Sequence, residues 1–121
     1  MARVLVVEDD EHVARHVVRA LSGRGHVVQI ERDGAKAFKR LTRERPDVAL
    51  LDDEISKIDG AELCRRIKAV STMPVVMMTS KYIDIDEVGT RHGPDAFVQC
   101  PFLAETLINA IEHVLYGAGR E

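Results

Sequence analysis

Three unbroken apolar runs, VLVV at 4–7, VALL at 48–51 and VVMM at 75–78, constrain this chain more than any other feature. A strand with one wet face alternates apolar and polar side chains. A strand buried on both faces need not, and short continuous runs are how the interior of a parallel sheet reads. A fourth run, VVQI at 27–30, carries a polar residue within it, and a weaker fifth spans Ala96–Gln99. Parallel neighbours cannot be joined by a hairpin, so helices are expected between the runs.

The helical stripes are present. Val13, Ala14, Val17, Val18 and Leu21 share one face, and Gly23 and Gly25 end that helix. Asp33 is placed to cap a second helix carrying Ala35, Phe38 and Leu41, with Pro46 soon after. A third holds Leu63, Cys64 and Ile67, and the last holds Leu107, Ile108, Ile111, Val114 and Leu115. Another is expected over 84–92, where Gly89 interrupts the pattern and only Ile85 and Val88 are strongly apolar. Strand and helix thus alternate through the chain. The fold expected is α/β: a doubly wound, five-stranded parallel sheet of order 2-1-3-4-5 with five helices, flavodoxin-like. Residues 1–116 read as one domain and 117–121 as a flexible tail or the start of a linker.

Composition narrows the function classes. At 121 residues, with 45% apolar and 31% charged residues, the chain can form a core without staples. A net charge of −3 argues against direct nucleic-acid binding. No run is long enough to span a membrane and no signal peptide is seen, so a cytoplasmic setting is expected. Cys64 and Cys100 stand far apart, in no metal-binding pattern.

In open α/β sheets, ligands bind beyond the carboxyl ends of the strands, where the strand order reverses. Here that point lies between the first and third runs. Glu8, Asp9, Asp10 and Glu11 follow the first run, Asp52, Asp53 and Glu54 the third, Thr79, Ser80 and Lys81 the fourth, and Cys100 and Pro101 the fifth. Carboxylates on adjacent strands repel and raise one another's pKa, a cost that a hard, oxygen-seeking cation such as Mg²⁺ relieves. Any one of these acids could simply solvate a loop or cap a helix, as Asp10 or Glu11 could for the first helix. Glu8, Asp9 and Asp52 together with Thr79, all on one edge, point instead to a cation site beside an aspartate able to take a phosphoryl group.

The segments VLVVEDD at 4–10, PDVALLDDEISKIDG at 46–60, PVVMMTS at 74–80 and DAFVQCPF at 95–102 resemble, in order and spacing, the receiver domain of two-component response regulators. The resemblance runs from about Arg3 to Leu115. It implies that Glu8 and Asp9 are the acidic pair at a Mg²⁺ site, with Asp9 the more direct ligand. It implies that Asp52 is the phosphoacceptor and that the Glu54 backbone carbonyl completes the metal site. Thr79 matches the hydroxyl that bonds the phosphoryl oxygen and moves on activation, and Phe97 the aromatic switch. Asp59-Gly60 matches the turn into the third helix. The implied donor is a histidine kinase or phosphotransfer protein. The implied output is a downstream protein or a domain outside this chain. A dimer through the fourth helix, fifth strand and fifth helix is consistent with that face.

The family lysine is missing, and Cys100-Pro101 stands where lysine-proline is usual. A thiol is a weak donor. A charge-assisted hydrogen bond contributes roughly 1.5–3 kcal/mol, so coupling between phosphate and active state is expected to weaken by about one or two decades. Ser56 replaces the usual proline, and the interval from Thr79 to Phe97 is about one residue short, which points to an altered fourth helix. Glu54 and Lys81 flank the expected pocket and could pair across its mouth, although exposed side chains in water are the plainer reading.

Other features read as structural. Lys36, Lys39, Arg40 and Arg43 form a basic stripe best taken as a solvated face. His12 and His16, one turn apart, are expected at the surface, Cys64 in the core, and the Cys100 thiolate is disfavoured by nearby acids. Three functions therefore stand side by side. A phosphoacceptor switch explains the most residues. A phosphorylation-independent pseudo-receiver, acting as an interaction module, fits Cys100. An enzyme, such as a phosphatase using Asp52 with Glu54 as second acid, lacks further motifs and room for a cap.

Overall fold

The computed structural model describes residues 1–55, 57–81 and 92–117. Its elements are β1 (Arg3–Val7), α1 (Glu11–Ser22), β2 (Val27–Glu31), α2 (Gly34–Glu44), β3 (Val48–Asp52), β4 (Glu54–Ile55), β5 (Ile58–Asp59), α3 (Gly60–Val70), β6 (Val75–Thr79), β7 (Ala96–Gln99) and α4 (Ala104–Tyr116). The principal sheet has five strands in the order β2-β1-β3-β6-β7. Every adjacent pair in it is parallel. This is the expected doubly wound order. The helix expected over 84–92 and the substitution at Ser56 fall almost wholly outside the described residues, as does the tail beyond Gly117.

The unbroken apolar runs now have a physical cause. Leu5, Val7, Ala49, Leu51, Val75 and Met77 face one side of the sheet, where Ala37 and Leu41 of α2 and Leu63, Cys64 and Ile67 of α3 cover them. Val4, Val6, Val48, Leu50, Val76 and Met78 face the other, under Val17 and Leu21 of α1 and Leu107 and Ile111 of α4. Alternate side chains of one strand thus enter two different cores. Burying each large aliphatic side chain contributes about 1.5–3 kcal/mol. The edge strand β2 is the exception, with Val27 46% exposed, as the polar residue within that run anticipates.

The helix starts follow local chemistry. Asp10 accepts the backbone N–H groups of His12 (2.8 Å) and Val13 (3.3 Å) at the head of α1. Asp33 does the same for Ala35 (2.8 Å) at α2, and Asp59 for Ala61 (2.9 Å) at α3. One small element was not anticipated: β4 and β5 form a two-stranded antiparallel hairpin after β3, with Lys57 at φ 72° in its turn.

Two surface readings need correction. His16 is half-buried, stacked on Phe102 with ring centroids 4.9 Å apart and Nε2 3.2 Å from the Phe102 carbonyl oxygen. The basic stripe is not wholly solvated, because Arg40 donates to Glu44 (2.9 Å) and to the Ile30 carbonyl (2.9 Å). Cys64 is in the core as expected, and burial pushes its thiol up to about 11.

Candidate functional site

Strand ends bring the predicted residues to one edge. β1 and β3 are adjacent and run in register from Val4↔Val48 to Val7↔Leu51, so Glu8 and Asp52 emerge side by side. β3 pairs Asp52 with Met78, and β6 pairs Thr79 with Gln99 of β7. Backbone bonds extend the ladder past the strand ends: Glu8 N–H donates to Glu31 O (3.0 Å), Asp53 N–H to Met78 O (3.0 Å) and Cys100 N–H to Thr79 O (2.7 Å).

Glu8 has no solvent exposure. Its Oε2 accepts the Asp10 N–H at 3.1 Å, while its Oε1 is buried and receives no hydrogen bond. Burial, with Asp52 against it, pushes the Glu8 carboxyl up to about 8. Asp52 is half-buried, and Oδ1 accepts the Glu54 N–H at 2.9 Å. Burial likewise raises the Asp52 carboxyl. Its hydrogen bonds to Glu8 and the Glu54 N–H pull it back, and Asp53 beside it pushes it up. Asp9 is exposed at the rim, and its charge adds to the pressure on Glu8.

Gly60 fixes how closely the acidic loop is held. A Cβ at this position would stand 2.2 Å from the Asp52 carbonyl oxygen and 2.7 Å from the Asp53 Cα. Its N–H donates to Asp53 O at 3.2 Å, tying the first turn of α3 to the end of β3.

Thr79 is 3% exposed, and its hydroxyl is already engaged. It donates to Asp53 Oδ2 at 2.6 Å and accepts the Lys81 N–H at 3.0 Å. Asp53 is a functional candidate that the sequence places at this edge without a role, because an acid directly after Asp52 carries no signal without the fold. Phe97 is half-buried against the cluster that contains Leu51 and Met77. Cys100 is half-buried at the same edge, and burial, then the charges of Asp52, Glu8 and Asp53, hold its thiol protonated. Glu54 and Lys81 are both exposed and do not pair with each other, so the suggested bridge across the mouth is absent.

As placed, no three His, Cys, Asp or Glu side chains among the described residues are arranged to hold a metal ion. The donor chemistry nonetheless suits one: an orphaned buried carboxylate oxygen beside a second half-buried carboxylate lacks a positive partner.

The family model described as the response regulator receiver domain matches residues 4–112. The chain belongs to this family. Among curated receiver-containing relatives, the transcriptional regulatory protein CseB of Streptomyces coelicolor is 39% identical over 113 residues, 93% of this chain and 48% of that protein. The chain therefore spans about half the length of such relatives. Among solved structures, the beryllofluoride-activated N-terminal receiver domain of Klebsiella pneumoniae RstA superimposes with TM-score 0.84 at 26% identity, covering 94% of this chain and 98% of that one. The chemotaxis response regulator CheY4 of Vibrio cholerae gives TM-score 0.84 at 26% identity, covering 95% and 99%. No helix among this receiver's described residues is long and apolar enough to cross a membrane.

Proposed function

We infer that this receiver accepts a phosphoryl group on Asp52 from a histidine kinase or phosphotransfer protein and passes the signal to a protein partner or to an output domain outside this chain. The observation that carries the reading is the buried Glu8 carboxyl with its orphan oxygen, lying against Asp52 at the point where the strand order reverses. Glu8 and Asp9 would hold Mg²⁺ with Asp52, and the Glu54 carbonyl would complete the set. When bound, the cation neutralises charge on the acceptor and on the incoming group.

The chain's own part is positional. The Glu54 N–H orients Asp52 through Oδ1. A carboxylate oxygen of Asp52 attacks phosphorus; the bond from phosphorus to the donor nitrogen breaks, and its electron pair leaves with the donor imidazole. The product is an acyl phosphate, and Asp52 is a nucleophile without enzymatic turnover of a separate substrate. The surface around Phe97 and α4 is the proposed output face, where a second copy could also dock.

Incubation with Mg²⁺ and acetyl phosphate, followed by intact-mass measurement, tests the reading. The expected result is one Mg²⁺-dependent phosphoryl adduct on the wild type and none on Asp52→Ala. An adduct that persists in Asp52→Ala and maps to Asp53 would overturn the assignment. No adduct with any donor would favour the phosphorylation-independent module.

A further inference from the structure

The Thr79 hydroxyl has one proton to give, and Asp53 takes it at 2.6 Å. Neither partner is loosely held. Asp53 is fixed through both backbone groups, its N–H on Met78 O (3.0 Å) and its carbonyl on Gly60 N–H (3.2 Å). Thr79 is buried, and its oxygen also accepts the Lys81 N–H (3.0 Å), so the bond lies within a short polarised chain. A hydroxyl bonded to a carboxylate is roughly twice as strongly held as one bonded to a neutral oxygen.

We propose that Asp53 is a positioning residue that competes with a phosphoryl group on Asp52 for the Thr79 hydroxyl, and so sets how readily this receiver responds to phosphorylation. The inference rests on Asp52 as the acceptor. Any oxygen added to Asp52 gains Thr79 only if Thr79 leaves Asp53. The new bond is offset by the lost one, and the Asp53 carboxylate stays beside the added negative charge. The release propagates along bonds already present. Lys81 N–H follows Thr79, and the Lys81 carbonyl accepts Gln99 Nε2 at 3.3 Å, at the end of the strand that carries Phe97.

Titration of the Mg²⁺-loaded protein with beryllofluoride, a phosphoryl mimic, reads the competition directly. Asp53→Ala is expected to bind it about 10-fold more tightly than wild type, the equivalent of about 1.4 kcal/mol. Asp53→Asn keeps an acceptor for Thr79 without the charge and should fall between them. It also serves if the alanine variant does not fold. The decisive comparison is Thr79→Val in two backgrounds. It should cost little in the wild type, where one bond replaces another, and about 10-fold or more beside Asp53→Ala. A purely structural role for Asp53 would not produce that non-additivity. Equal costs in both backgrounds, with beryllofluoride binding intact, would overturn the competition alone. No binding to any of the five proteins would overturn the Asp52 reading and the competition with it.

Discussion

Glu8 couples the acidic edge to pH. Its carboxyl is raised from 4.5 to about 8, so the folded, metal-free protein holds a proton that the unfolded chain has released. The sign follows: without metal, stability falls as pH rises from about 4.5 to about 8. A cation bound at Glu8 must displace that proton, so apparent Mg²⁺ affinity should climb over the same interval and level off above it. Isothermal titration at several pH values is the check. Glu8→Gln should bind Mg²⁺ more weakly and with a flatter pH profile, while its metal-free stability should lose the slope. A wild-type affinity that is flat with pH would contradict the account. Cys100 supplies none of the positive charge of the lysine usual at its position. Its protonated thiol leaves the acidic edge without that positive charge, which sharpens the demand for a cation.

At the scale of elements, the join between β3 and α3 governs the site. Gly60 is required by close approach, because its Cβ would enter the Asp52 backbone. Gly60→Ala should therefore cost about 1–3 kcal/mol through forced backbone movement, read as a lower urea midpoint. On the proposed reading of Asp52, the loop that carries it should be affected beyond stability, with slower adduct formation even where the variant is fully folded. This join was legible beforehand only as the Asp59-Gly60 turn. The inner strands β1, β3 and β6 were legible because each faces two cores, and the cap at Asp33 because a short acid before an apolar stripe has few other uses. The β4–β5 hairpin was not, since two-residue strands have no period to read. Nor was the Thr79–Asp53 bond, which depends on β6 placing its last residue beside β3. The edge carrying Glu8, Asp9, Asp52 and Thr79 followed from topology; which hydroxyl meets which carboxylate did not.

Across the whole molecule, distant segments are tied at the opposite end of the sheet from the acids. Glu112 of α4 accepts from Arg24 (2.9 Å) and lies 3.0 Å from His26 Nε2. His26 Nδ1 accepts the Ala2 N–H at 3.1 Å, which places the ring proton on Nε2, facing Glu112. The Arg24 and His26 partners hold the Glu112 carboxyl down at about 2. A depressed carboxyl contributes stability above its unfolded value of 4.5 and loses it as pH falls toward about 2. Glu112→Gln should lower the urea midpoint at neutral pH, and the two proteins should converge in acid. The position of α4 also has a consequence for synthesis. Leu107 and Ile111 close one face over Val6, Leu50, Val76 and Met78, all of which precede them by many residues. A chain emerging from the ribosome leaves the part of that apolar face that α1 does not cover bare until α4 is translated. Nascent chains stalled just before α4 should accordingly be chaperone clients, and those stalled well beyond it should not.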